Sequence, residues 1–260
     1  MTKTKFYKIL FSEFYKVRRN IGFISILLFP IVVSAYLCYA MYNKCSTGNM
    51  DSTSFWFEYT RWHFIFYELF YPIIVSFCVA SYILTEFKNK GIYHQFTLPV
   101  TKHQLFLAKV IMLSVYVLAS LFMSYSLLVL SGNILSKLFP NLVLSSFCVR
   151  GAINLLFIRT FTVLSAIVLV QLFLSLLSHN FFVPISINIG FIIVCTVMPK
   201  SRFALSLPHG CIRYAFTLFY QEDNTLLSNR IVVCIIYITI FYLLSYFLFA
   251  KYIKITKKND

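Results

Sequence analysis

The sequence predicts an all-α polytopic membrane protein with six transmembrane helices, an N-terminal interfacial amphipathic helix and a short cytoplasmic coupling helix. Three observations carry that prediction. Hydrophobic residues make up 60% of the 260-residue chain and charged residues only 12%, against roughly one quarter charged in soluble domains. Apolar stretches recur at about the 20-residue length that crosses a hydrocarbon core. Basic residues gather in three of the polar segments that separate or flank those stretches.

The apolar runs are Ile21 to Tyr42, Phe64 to Leu84, Leu105 to Leu130, roughly Thr160 to Leu177, Phe181 to Met198 and Ile231 to Ala250. Each is expected to be helical, because lipid offers no partner to backbone N–H and C=O groups and a helix satisfies them internally. A closed barrel would instead need short alternating segments, which the chain lacks. The first run is too long for a cleavable signal peptide, and no small-residue cleavage pattern precedes "NKCSTGNMDSTS". Residues 1–260 therefore read as a single transmembrane domain.

Short cytoplasmic loops are enriched in Lys and Arg. The N-terminal segment supplies Lys3, Lys5, Lys8, Lys16, Arg18 and Arg19, the loop between the second and third runs Lys88, Lys90, Lys102 and Lys109, and the tail Lys251, Lys254, Lys257 and Lys258. With six spans these share one side, so both termini are expected in the cytoplasm of a cell lying against its plasma membrane. The segments near 43–63, 131–159 and 199–230 then lie outside. The net charge of +15 faces anionic lipid headgroups and not nucleic acid, since no basic patch joins a nucleic-acid-binding signature.

At the start, Phe6, Ile9, Leu10, Phe14 and Val17 recur at helical spacing with the lysines mostly opposite, which predicts an interfacial helix over residues 1–20. A hydrophobic stripe of this kind serves anchoring alone or anchoring with partner contact. Between the second and third runs lies "TEFKNKGIYHQFTLPVTKHQLFLAK", Thr85 to Lys109. Gly91 and Pro99 divide this loop, residues 86–103, into pieces. Thr101 is placed to cap the third span, with Lys102, His103 and Gln104 as its polar first turn. Between the breaks, Ile92, Tyr93, Phe96 and Leu98 give one short helix or turn an apolar docking surface.

The residue pattern resembles the permeases of type-two ABC exporters. The matching residues are Glu86, Gly91, "LPVTK" at Leu98 to Lys102, Lys109, and "SEFYKVRRN" at Ser12 to Asn20. The outer "LPHGCIR" at Leu207 to Arg213 is similar to a turn of the bacteriocin and lantibiotic immunity permeases, with His209 where that group carries an aromatic. The resemblance implies expulsion of an antimicrobial peptide or lipid-like compound, beside a second permease, the same or related, and an ATPase.

An energy source is also required on physical grounds, and no GxxxxGK[ST] phosphate cradle occurs in the sequence. A separate ATP-binding cassette subunit is therefore expected to press on the cytoplasmic face, around Gly91, Ile92, Tyr93, Phe96, Leu98, Pro99 and Lys102. Glu13 and Glu86 could pair with basic residues of that partner or with nearby lysines. No cofactor and no metal site is expected: none of the seven cysteines forms a CxxC pair or a zinc-spaced Cys/His cluster.

Charged groups inside a span are costly and often functional. Glu68 and Arg159 are expected at the outer rim, Glu68 beside Arg61 seven residues earlier on the same face, where it reads as a rim pair or snorkelling group ahead of a substrate contact. Gln171, Ser165, Ser175, Ser186 and Asn188 read as helix-to-helix hydrogen bonders or as a substrate path. Pro72 and Pro184 are candidates for kinks. The histidines His63, His94, His103, His179 and His209 are expected near interfaces or in loops, and none pairs at HExxH spacing. An intramembrane enzyme would need a convergent site that this pattern does not supply. A secondary transporter or channel, the alternative, would show inverted repeats with ion-binding broken helices. Residues 199–230 are too apolar for an ordinary loop and predict a short re-entrant pair broken at Pro208 and Gly210.

Overall fold

The computed structural model describes residues 3–47, 52–88, 101–139, 150–178, 180–220 and 228–256. Its elements are α1 (Lys3–Val17), α2 (Ile21–Ser46), α3 (Ser52–Leu69), α4 (Tyr71–Lys88), α5 (Lys102–Leu138), α6 (Arg150–Ser178), α7 (Phe182–Val197), α8 (Arg202–Ser206), α9 (Pro208–Tyr220) and α10 (Asn229–Thr256). The described residues are all-helical, as the sequence predicts. Gly91, Ile92, Tyr93, Phe96, Leu98 and Pro99, with the rest of 89–100, lie outside the described residues.

Among the described residues five helical stretches are long and apolar enough to cross a membrane: Ile21–Ser46, Glu58–Phe87, Lys102–Leu135, Leu155–Ser178 and Asn229–Lys251. The sixth expected span, α7, has 16 residues, about 24 Å of helix against a core of about 30 Å. The second span is two helices, α3 and α4, separated at Phe70. Pro72 explains the break, since it has no N–H and its ring crowds the carbonyl of Glu68 four residues back. Pro184 lies in the first turn of α7, where its missing N–H has no consequence, so it kinks nothing.

Local chemistry sets the helix starts. Thr101 caps α5 by accepting from the Gln104 N–H at 3.4 Å. Asn20 caps α2 by accepting from the Gly22 N–H at 2.8 Å, and the same Oδ1 accepts the Ser81 hydroxyl of α4 at 2.8 Å. Gly22 lets α2 and α4 approach: a Cβ there would lie 2.2 Å from Ser81 Oγ and 2.7 Å from the Cys78 Cα. Small residues at such crossings are how membrane helices bring backbones together.

Helix α6 is the axis of the bundle, with 67% of its apolar window buried and α4, α5, α7, α9 and α10 packed around it. Helix α10 is peripheral, 17% buried, and shows Ile236, Ile240, Leu243 and Phe247 outward. Its far end is fastened to α5: Phe106 packs on Tyr242 and Phe249, and the Tyr242 hydroxyl hydrogen-bonds His103 Nε2 at 3.2 Å.

After α7 the chain turns back on itself. Cys195 donates weakly to the Ala204 carbonyl, the Phe191 ring meets His209 at 5.6 Å, and His209 Nε2 is 2.5 Å from Asn188 Oδ1. Asn188 lies nine residues, about 14 Å, from the end of α7, so His209 is carried that far back along it. Helix α9 then runs antiparallel to α3, with Arg213 on Glu68 and Phe216 stacked on Phe64 at 4.0 Å. The return pair breaks at Leu207, before Pro208. Gly210 lies inside α9 and does not break it: a Cβ there would lie 2.1 Å from the Ala204 carbonyl oxygen.

Candidate functional site

The stripe of α1 that is buried is Ile9, Glu13 and Val17, at i, i+4 and i+8. It packs on α5. Phe14, expected on the apolar face, is exposed with Tyr7, Phe11 and Tyr15, the amphipathic residues that suit a headgroup layer. A glutamate in the middle of a buried stripe needs a partner, because an unpaired buried charge costs several kcal/mol.

Lys109, about two turns into α5 and 1% exposed, supplies it. Its Nζ lies 3.4 Å from Glu13 Oε1 and 3.5 Å from Oε2, and donates to Glu86 Oε1 near the end of α4. The Tyr82 hydroxyl donates to Glu13 Oε2, and the Lys109 ammonium sits 5.2 Å from the Tyr82 ring centre. The exposed Lys16 reaches Glu13 Oε1 at 2.8 Å. Glu13 is 1% exposed and Glu86 6%. Burial pushes the Glu13 carboxyl up, but the charges of Lys109 and Lys16 and the hydrogen bonds from Lys16 and Tyr82 together hold it below the usual carboxylate range.

Both glutamates thus face inward onto a lysine of their own chain. The loop 89–100 leaves α4 three residues after Glu86 and re-enters α5 at Thr101, so the Glu86–Lys109 pair joins its two roots. Lys102 is half-buried in the first turn of α5. Tyr82 had no sequence signal, because its role depends on α1 folding back against α4 and α5.

A second buried polar group joins α4, α6, α7 and α9. Asn188 Nδ2 donates to the Pro72 carbonyl at 2.8 Å and lies 3.1 Å from Ser76 Oγ. Its Oδ1 accepts from Gln171 Nε2 at 3.1 Å and meets His209. Asn188, Gln171 and Ser76 are fully buried, and His209 nearly so. For Gln171 and Asn188 the helix-to-helix reading holds. His209 occupies the bundle interior and not a loop. His63 is likewise buried, its Nε2 2.7 Å from Ser124 Oγ.

Arg159 is 2% exposed inside the bundle, not at a solvated rim. Glu68 pairs with Arg213 at 2.6 Å, while Arg61 points outward. The six described cysteines are free thiols. Among the described residues no group of three His, Cys, Asp or Glu side chains is placed to hold a metal ion.

The described residues form a polytopic helical bundle in which α1, α4 and α5 meet at a buried ion triad. The family model for ABC-2 family transporter protein matches residues 9–195, and the chain belongs to that family. It is a membrane permease of the ABC transporter class, in which the membrane subunit carries transport and is not itself the enzyme. The match takes in the whole triad. No curated protein and no solved structure gives a match.

Proposed function

We propose that this permease moves or expels an amphiphilic substrate, such as an antimicrobial peptide, and is driven by an ATP-binding cassette subunit through its cytoplasmic end. The observation that carries the reading is the Glu13–Lys109–Glu86 triad, which ties α1, α4 and α5 together at the two roots of loop 89–100. A push on that loop reaches three helices at once, because the buried pairs resist separation.

In this reading Ile92, Tyr93, Phe96 and Leu98 form the coupling helix that fits a groove on the ATPase, with Gly91, Pro99 and Lys102 shaping and flanking it. Glu13 and Glu86 act behind that contact, transmitting it. Both termini and the loop face the cytoplasm of the plasma membrane, following the lysine and arginine bias. Helices α8 and α9 form a re-entrant pair in the outer half, and a second permease, identical or related, completes the path. Self-protection against a peptide toxin is the role suggested by "LPHGCIR" at Leu207 to Arg213.

The test is co-purification. Phe96→Asp with Leu98→Asp is expected to abolish recovery of the ATPase subunit while membrane insertion persists. Undiminished recovery removes the coupling helix from the account.

A further inference from the structure

Between α3, α5, α6 and α9 lies a half-open cavity of about 70 Å3. It is far from the triad: Ser124, on its wall, lies 15 residues beyond Lys109 on α5, about 23 Å along the helix. The walls are mainly aromatic and aliphatic, with Phe64, Tyr125, Phe157 and Phe216 among them, and no Asp, Glu, Lys or Arg among the described residues lines it. His63 lines the cavity at 3% exposure. Its Nε2 is held by Ser124, and its Nδ1 meets no hydrogen-bond partner among the described residues.

Buried ring nitrogens are ordinarily paired, and leaving one unmade costs about 1–3 kcal/mol. Polar atoms without a partner among the described residues, His63 Nδ1 and the Tyr67 hydroxyl, on lining residues of a mainly apolar cavity are the arrangement of a ligand pocket, where a few polar atoms orient a mostly apolar guest. The cavity is about half the roughly 150 Å3 that takes a benzene molecule. Its enclosed part therefore admits one ring edge, and the rest of a guest extends through the open side. Aromatic walls favour an aromatic guest by edge and offset contacts.

We propose that this cavity binds one uncharged aromatic ring carrying a single hydrogen-bonding atom, a phenol or an indole of the transported amphiphile, oriented by His63 Nδ1. Ser124 fixes the imidazole so that its free nitrogen serves the guest. This specificity rests on the reading of the chain as an amphiphile permease.

The experiment is fluorine NMR on the full chain in phosphatidylcholine nanodiscs, without an ATPase, titrating 4-fluorophenol and fluorobenzene. The expected result is a saturable, protein-dependent 4-fluorophenol resonance, with binding on the order of ten-fold tighter than fluorobenzene, the size of one hydrogen bond. His63→Phe keeps the ring and is expected to erase that preference while leaving fluorobenzene binding in place. Leu121→Trp, which fills the cavity, is expected to abolish both, and the lipid-facing Phe122→Leu to change neither. Gel filtration and helicity confirm that each variant is folded. The proposal is overturned by the absence of a saturable signal, by a signal indifferent to Leu121→Trp, or by an unchanged preference in His63→Phe. Because this titration reads binding and not transport, its failure counts against the pocket alone, and failure of ATPase-driven peptide movement in vesicles counts against the proposed function alone.

Discussion

Glu86 near the end of α4 is ion-paired with Lys109 of α5, and both are almost fully buried. The pair closes the loop 89–100 at its base and shares its lysine with Glu13 of α1. A buried cation between two carboxylates is stable only as a set, which leads to the first prediction.

Lys109→Met leaves two buried carboxylates without their cation and is expected to lower stability by about 3–5 kcal/mol. The triple variant Glu13→Gln, Glu86→Gln, Lys109→Met removes all three charges and is expected to recover most of that loss. Thermal unfolding in detergent checks the order: wild type and triple variant above the single variant. A single variant as stable as wild type contradicts the triad's role.

The same site sets a pH dependence. The Glu13 carboxyl titrates lower in the folded protein than its ordinary 4.5, so the unfolded chain binds its proton first as pH falls. The stabilisation from Glu13 is fully present above about pH 4.5 and is lost as pH drops through the lowered folded value. Melting temperature measured from pH 7 to pH 3 should fall more steeply for wild type than for Glu13→Gln. Parallel curves would count against it.

Asn188 is the shared partner of Gln171, His209, Ser76 and the Pro72 carbonyl. Asn188→Leu keeps the volume but strands several of them, at about 1–3 kcal/mol for each group left unpaired. The loss should be local, so limited proteolysis is expected to open the α7 to α9 region before the rest of the chain. Unchanged protection there would show that the network holds nothing.

At the α2–α4 crossing, Gly22→Val is expected to destabilise by about 1–3 kcal/mol through overpacking. Adding Ser81→Ala removes the nearer clash but not the one with the Cys78 backbone, so thermal unfolding should show partial recovery only. By contrast Glu68→Ala, which breaks a pair whose arginine is 37% exposed, is expected to lose less than about 1 kcal/mol.

What the sequence made legible was whatever depends on local pattern. Apolar length placed five of the six expected spans, and Thr101 was readable as the α5 cap from its position before a polar first turn. The motif residues Glu13, Glu86 and Lys109 stood out one at a time, but their convergence is set by α1 packing on α5. The local rule that seats Glu68 beside Arg61 failed because the antiparallel return of α9 brings Arg213 closer. His63 and Arg159 read as interface or rim residues from their distance to run ends, and His209 as part of the outer segment 199–230. Helices longer than their apolar runs, and a chain that folds back along α7, place them inside.

The most direct measurement is uptake and release of a fluorescent cationic amphiphilic peptide in vesicles containing the purified permease, with and without its ATP-binding subunit. The account predicts peptide movement only when the ATPase subunit and ATP are both present, and its loss in Lys109→Met that remains folded. Movement driven by an ion gradient through the permease alone would contradict it.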